Sequence, residues 1–516
     1  MTPANITAKE RREDYALRYV PERFRIWHWS SIFSVFVGVS TAMFFLAWGG
    51  ELTLAYGTWP TIWGMVFGVV LIGSIGFFFS WIGSRTGLDS DLITRGSGYG
   101  FMGSAIASLV YSFNYLMFFA FEGSILVAAL QGEWPHVPTL AWELMIGATF
   151  LVLAIWGMTF LSWLMWITLP IYLVAVAVVV SAAAHVSHPA SWLSYHPVHP
   201  PSTASGPIFL QLGATVFALI SMATQGADLG RFVRKQDRLV GSIFNGYVFT
   251  IVSFLGVVLL GSYLGVEFHN TNPGTYFSQV LGVGGVLTVV ITQLRINTIN
   301  VYSGSLAYSN FFSRVFHFTP GRYWWGILTA VLGTLLMMGN LFTHMLQVLT
   351  FEGVFIIAWA MSVVSDTIFN KWWLKINQAD YEYKRAFLPR FNPIGVGSLL
   401  LALIVAVPLA FGAAGPIGVS WAPFVSALGG LIWPPIIALG VKGRPYQVAS
   451  SATLPEPDAA HQCVKCHLEF EGVDMVVCPF HQGPLCSVCC GAEAHCHDVC
   501  KQPDQLISLT LSQELQ

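Results

Sequence analysis

Charged side chains are what this sequence has least of. Lys and Arg number 24 and Asp and Glu 26 in 516 residues, 10% in all, against roughly 25% in an ordinary soluble domain. With 55% of residues apolar and a mean hydropathy of +0.64, the scarcity excludes a water-facing globular surface and marks a membrane composition. Neither a nucleophile–base pair nor a cofactor motif is present, so no enzyme is expected, and no nucleic-acid partner. Cysteine is missing from the first 462 residues; all eight lie in 463–500, which sets that segment apart.

What is abundant is apolar sequence in long runs. Stretches near the length a span needs, about 20 residues, fall near 30–56, 61–83, 99–130, 140–160, 163–186, 207–227, 241–265, 281–311, 323–340, 345–365, 396–413 and 418–440. This predicts an all-α polytopic membrane protein of twelve transmembrane helices.

A second absence supports that count. Lys9, Arg11, Arg12, Arg18, Arg23 and Arg25 precede the first run, followed by an aromatic Trp27-His28-Trp29 belt; this resembles an interfacial anchor and places the N-terminus in the cytoplasm. Threading twelve spans from there puts Arg85, Arg95, Arg231, Arg234, Lys235, Arg238, Arg314, Arg322, Lys371, Lys375, Lys384, Arg385, Arg390, Lys442 and Arg444 inside, while the outer loops hold no Lys or Arg. Losing one span would invert the later loops and destroy the pattern.

Polar residues within the runs are the candidates for function. Arg295 is the only Lys or Arg inside a predicted span, and a charge near mid-membrane costs about 2.5–3.5 kcal/mol, so such residues face a cavity or a partner. Glu122 and Glu352 also fall within spans. Asn114, Phe118 and Glu122 repeat at helical spacing on one face, and an aromatic one turn from a carboxylate suits a flat ligand that is stacked and hydrogen-bonded. Glu352 reads equally as a packing contact to a polar neighbour. Small residues in Gly38-Val-Ser-Thr41 and Gly213-Ala-Thr215 fall where broken helices of a transporter would need them.

The segment Ala227-Asp-Leu-Gly-Arg-Phe-Val-Arg-Lys235 resembles the Asp-aromatic-x-Arg-aromatic signature of the nucleobase:cation symporter-1 (purine/cytosine permease-like) family, with Leu229 in place of the usual aromatic. Arg95-Gly-Ser-Gly-Tyr-Gly-Phe-Met-Gly-Ser104, Asn300-Val-Tyr-Ser-Gly-Ser305, Ser365-Asp-Thr-Ile-Phe-Asn-Lys371 and Phe391-Asn392 resemble further family segments in family order. The resemblance implies a five-plus-five inverted repeat with two extra helices, and transport of purines, cytosine, allantoin, hydantoins or related compounds coupled to sodium or protons. It also implies a ligand sandwiched between aromatics on spans three and six, which fall on Phe118 and Phe217. The ligand's hydrogen-bonding Gln and Asn fall on Glu122 and Asn300. Where sodium-coupled members carry ion-binding hydroxyls, this chain has Leu294 and Arg295, so the resemblance leaves open a proton-linked cycle or a more cationic ligand. Arg295 and Glu352 are the expected coupling or charge-compensating pair.

Beyond a Pro- and Ala-rich linker come Cys463-x2-Cys466, Cys478-x2-His481, Cys486-x2-Cys489-Cys490 and Cys496-x3-Cys500. Ligand pairs at such spacing on the cytoplasmic side argue for zinc over disulfides. If the pairs alternate, Cys463, Cys466, Cys486 and Cys489 bind one ion, and Cys478, Cys496, Cys500 with either His481 or Cys490 bind a second. The expected organisation is a cytoplasmic segment 1–28, a transporter-like domain 29–441, a linker 442–460, a metal-binding module 461–502 and a tail 503–516. The sequence also resembles the transporter-like front half of certain bacterial sensor histidine kinases, in which a Cys-rich segment follows the twelfth span. No kinase signature is present, so sensing would require a cytoplasmic histidine kinase partner. The expected location is a bacterial cytoplasmic membrane with both termini inside.

Overall fold

The computed structural model describes residues 15, 17–153, 158–186, 190–199, 201–318, 320–376, 381–442, 446–457 and 459–502. Lys9, Arg11, Arg12, Arg444, the tail 503–516 and part of the predicted fourth span lie outside the described residues.

The chain is a bundle of long helices in the order α1 Trp29–Ser40, α2 Met43–Tyr56, α3 Thr58–Thr86, α4 Ser90–Glu133, α5 Thr139–Leu153, α6 Met158–Val186 and α7 Ile208–Gly230. There follow α8 Lys235–Phe268, α9 Pro273–Leu281, α10 Val283–Val315, α11 Arg322–Met338, α12 Leu341–Trp373, α13 Pro393–Ala410 and α14 Gly415–Gly440. Starts are set by local chemistry: Asn272 and Asn392 accept from the backbone N–H groups of Gly274 and Ile394 at 2.9 and 3.0 Å, each just ahead of a proline at the first helical position, the usual asymmetry of helix ends.

Among the described residues eight helices are long and apolar enough to cross a membrane, nine when α1 and α2, bent by 48°, count as one span. The twelve predicted spans exceed this for local reasons. α10 fails on composition because Gln293, Arg295, Asn297 and Asn300 are all buried in it. The apolar stretch Tyr323–Met338 is short, and α5 is followed at 154–157 by residues outside the description.

α10 lies along α4, α3 along α7 and α2 along α8. Within α4 the chain makes a forced turn: Gly100 has φ +78°, and a Cβ there would sit 2.6 Å from the Pro389 carbonyl oxygen, so only glycine lets the connection after α12 approach so closely. Phe101 and Met102 donate backbone N–H to Pro389 and Arg390 carbonyls at 3.0 and 2.8 Å, pinning α4 to that connection.

The Cys-rich segment folds as two small antiparallel pairs, β1 Ala460–Gln462 with β2 Glu469–Glu471 and β3 Met475–Cys478 with β4 Gly483–Cys486, followed by α15 Ser487–Ala492. Two-stranded pairs are marginal alone, and the apolar core is little more than Leu468, Phe470, Met475, Val476 and Leu485 with cysteines around it. A cross-link through the thiols is what such a domain lacks.

Candidate functional site

The first span is interrupted at Thr41 and Ala42, and this break organises the buried polar residues. Restarting a helix at Met43 leaves N–H groups without intrahelical partners, the positive end of a dipole. Glu122 of α4 occupies it: Phe44 donates its backbone N–H to Glu122 Oε2 at 3.2 Å, and Gln293 of α10 donates to the same oxygen at 2.8 Å. From the other side Arg295 Nη2 donates to Thr41 Oγ1 at 2.9 Å, while that hydroxyl donates to the Gly38 carbonyl at 2.9 Å. Arg295 is 1% exposed and its guanidinium lies 5.7 Å from the Tyr172 ring centre. Its Nε and Nη1 have no hydrogen-bond partner among the described residues. The Glu122 carboxyl of α4 and the Arg295 guanidinium of α10 thus brace the break between α1 and α2.

Phe118 packs edge-on to Phe44 at 5.0 Å and lies 6.3 Å from Phe121, within an aromatic group that Trp48 completes against Phe44 at 6.3 Å. Asn114 donates to Glu352 of α12, leaving Asn114 Oδ1 and Glu352 Oε2 buried without a partner among the described residues. The helical face shared by Asn114, Phe118 and Glu122 therefore meets α12 at one end and the first-span break with α10 at the other. Phe217 sits where α7 tightens over Phe217–Leu219, but its ring faces Phe424 at 4.8 Å and Phe67 at 6.1 Å; no ring contact joins it to Phe118 among the described residues. Asn300 donates to Asn297 Oδ1 at 3.1 Å on its own helix. Gln293 and Thr41 complete the brace. Gln293, two residues before Arg295, was not singled out by the sequence reading, and its polarity within a buried helix was the available signal.

The motif residues meet at the module-side end of the bundle. Asp228 accepts from the Ser90 backbone N–H and hydroxyl at 2.9 and 2.8 Å and from Tyr111 at 3.0 Å. Arg231, with no exposed surface, pairs with Asp89 at 3.1 Å. Arg314 pairs with Asp91 at 2.8 Å and donates to Ser104, and Arg95 reaches Asp91 at 3.3 Å. Asp89, Asp91 and Arg314 carried no motif signal; their importance lies in being the partners of residues that did. At the opposite end a cavity of about 650 Å³ is lined by Tyr56, Gln211, Thr215, Thr350 and Phe351 among others, beside Phe217 and Glu352 in sequence. Ion pairs thus seal the helices at the module-side end, where cavities of about 510 and 470 Å³ remain between the helices and the Cys-rich module.

In the module, the sulfurs of Cys463, Cys466, Cys486 and Cys489 all lie within 4.8 Å of one another, with 4.0 Å between Cys466 and Cys486, and no cysteine is in a disulfide. Tetrahedral coordination at about 2.3 Å per sulfur places ligand sulfurs roughly 3.8 Å apart, so the four thiols fit one ion. Backbone N–H groups of Cys486 and Cys489 point at Cys463 and Cys486 sulfurs at 3.4 Å, the donors that thiolates require. Cys478, Cys490, Cys496 and Cys500 line one small separate cavity, whereas His481 bonds to Glu493 at 3.0 Å. Burial raises the Glu493 carboxyl, but Lys465, the His495 backbone N–H and His481 outweigh it and hold the group at about 2.

The bundle has a fold similar to that of solved membrane transporters. It is similar to Mhp1, a nucleobase-cation-symport-1 family transporter, in a closed conformation with bromovinylhydantoin bound: TM-score 0.60 and 17% identity, over 84% of this chain and 99% of that one. It is also similar to inward-facing Mhp1, with TM-score 0.61 and 17% identity over 80% and 90%. A Na+-coupled sialic acid symporter in a substrate-bound outward-open state gives TM-score 0.59 and 12% identity over 84% and 93%. No protein-family model and no curated protein sequence matches the chain.

Proposed function

We propose that this chain is a secondary active transporter that moves a nucleobase or related heterocycle, of the purine, cytosine, allantoin or hydantoin type, by alternating access and without sodium. The observation that carries the reading is the Arg295–Thr41 hydrogen bond at the first-span break. A fixed guanidinium there repels a sodium ion and supplies the positive charge itself. In this reading Phe118 and Glu122 are the ligand-facing part of α4, Asn300 and Phe217 are the ligand contacts contributed by α10 and α7, and Glu352 compensates charge. The break in the first span and the tightening of α7 over Phe217–Leu219 are what a five-plus-five inverted repeat with two further helices would contain.

A thermal-shift screen of the purified protein against nucleobases, hydantoins and allantoin, followed by uptake into proteoliposomes under sodium or proton gradients, tests this. A stabilising ligand taken up without sodium is the expected result, and strictly sodium-driven uptake rejects it.

The docking of the Cys-rich module against α10 through Val488, Tyr302 and Leu306 favours a second reading. In it, the chain is a transporter-like receptor that signals through this module to a cytoplasmic histidine kinase partner; ligand binding without flux selects it. In either reading the module, 461–502, holds two zinc ions. One is on Cys463, Cys466, Cys486 and Cys489. The other is on Cys478, Cys496 and Cys500 with Cys490 in preference to His481, because Cys490 lines that cavity. The chain lies in a bacterial cytoplasmic membrane with module and N-terminal segment in the cytoplasm.

A further inference from the structure

The Cys-rich module is built into the sealed end of the bundle. Asp474, fully buried, lies 3.3 Å from Arg18 Nη1 and accepts from the hydroxyls of Tyr383 at 2.8 Å and Ser487 at 2.7 Å. Arg18 also lies 4.7 Å from the Phe470 ring centre, and Tyr19 donates to the Glu471 carboxylate. Arg385 donates to Asp498 at 2.8 Å and to the carbonyls of Cys490 and Glu493 at 3.2 and 2.5 Å, at the C-terminal end of α15, where a cation is favoured. Val488 of α15 packs with Leu17 and with Tyr302 and Leu306 of α10.

One small fold therefore ties together three parts of the membrane domain: the segment leading into α1, the module-side half of α10, and the connection between α12 and α13. The first of these continues into the interrupted pair α1 and α2, whereas α10 packs chiefly along α4. In alternating access the interrupted spans and their companions rock against the remainder around a central site. Opening the sealed end therefore means parting α1 from α10. A body gripping both has to let go first.

The grip is continuous with the four-thiol site. Ser487 and Val488, which hold Asp474 and α10, stand between Cys486 and Cys489, and the carbonyl that Arg385 takes belongs to Cys490. The turn that presents two sulfurs to a metal also carries Val488, which meets α10, the Cys490 carbonyl that Arg385 takes, and Ser487, which fixes Asp474 where Arg18 and Tyr383 reach it. Without metal, a fold with so small a core has little to keep that turn in shape.

We propose that the module is a metal-responsive latch: with a thiophilic divalent cation on Cys463, Cys466, Cys486 and Cys489 it holds the sealed end shut, and loss of the cation frees that end to open. This rests on the alternating-access reading above and adds its regulation.

Hydrogen–deuterium exchange on the purified full-length chain, without transport ligand, tests the latch in zinc-loaded, chelated and zinc-restored states. Chelation raises exchange about tenfold in 17–27, 296–312 and 381–390, leaves far-end peptides of α3 and α14 unchanged, and zinc restores protection. Zinc-loaded Arg385→Ala gives the same rise in 17–27 and 296–312 with its zinc content intact. A rise confined to 460–501 overturns the latch. If chelation loosens α3 and α14 equally, the zinc-loaded Arg385→Ala protein decides: unchanged exchange in 296–312 overturns the latch, and a rise there upholds it. Because the readout needs no ligand, failure of the latch leaves the transport reading standing, and failure to find a ligand leaves this test intact.

Discussion

Arg295 donates through Nη2 to the hydroxyl of Thr41 at 2.9 Å, so a cation fixed to α10 closes the break between α1 and α2. The same break receives Glu122 on its other side, through the Phe44 N–H. A positive and a negative side chain thus brace one interruption from two different helices. Neither can leave during a transport cycle as a free ion does.

Ligand binding should therefore be indifferent to sodium. At constant ionic strength, a sodium series on the wild-type chain is expected to leave affinity for any compound found by thermal shift unchanged. Arg295→Ser removes the cation and puts a second hydroxyl beside Thr41, so it is expected to bind more weakly and to acquire a sodium dependence. A clear rise of wild-type affinity with sodium shows that the arginine does not replace the ion.

Phe118 and Glu122 are adjacent on α4 but do different work. Phe118→Ala removes an aromatic face and is expected to cost about 1 kcal/mol or more of ligand affinity. Glu122→Ala strips the acceptor from the Phe44 N–H and the Gln293 amide, so beyond lost binding it should cost roughly 1–3 kcal/mol of stability. Isothermal titration and thermal unfolding of both variants separate these effects. Unchanged binding in both removes this face of α4 from the ligand site.

Hydropathy exposed the apolar helices and missed what lies between them for one reason: its signal is local, and the site is not. α10 was the weakest of the long helices by composition because its buried face is polar: Gln293 and Arg295 find partners on other helices, and Asn300 pairs with Asn297 on its own. Spacing alone put Asn114, Phe118 and Glu122 on one face, yet their partners, Glu352 and Gln293, lie 238 and 171 residues away. Arg95, Ser104, Asp228 and Arg231 were legible as motif residues, whereas Asp91, on which Arg95 and Arg314 converge, reads in sequence as one more loop acid. The cysteine spacing anticipated the group Cys463, Cys466, Cys486 and Cys489. Arg385, which reads as one more basic residue of an inner loop, gave no hint that it grips that module.

Asp91 holds two arginines at the sealed end. Arg314 is 1% exposed and Arg95 5%, and both reach this carboxylate. Asp91→Asn leaves buried cations without their counter-charge, which typically costs about 3–5 kcal/mol, so a marked drop in thermal midpoint is expected. Combining it with Arg314→Met should recover part of the loss, since the double variant buries one guanidinium without its carboxylate, that of Arg95, rather than two. A midpoint unchanged in Asp91→Asn means that water reaches this network and the end is not sealed.

The two thiol groups should be separable by metal count. Metal analysis of the purified chain is expected to find close to two zinc ions per chain. Cys463→Ser removes a sulfur that sits within 4.8 Å of three others and should lose one ion. Cys496→Ser alters only the cavity that Cys478, Cys490 and Cys500 share and should lose the other. His481→Ala distinguishes the ligand sets: its ring is engaged with Glu493 at 3.0 Å, so its removal should leave the count at two, while Cys490→Ser lowers it to one. A strong visible absorption of iron–sulfur type, or no metal at all, rejects zinc. A count of one that survives Cys496→Ser confines metal to the group around Cys463. The second cavity would then be a cluster of free thiols, and Cys490→Ser would leave the metal content as it was.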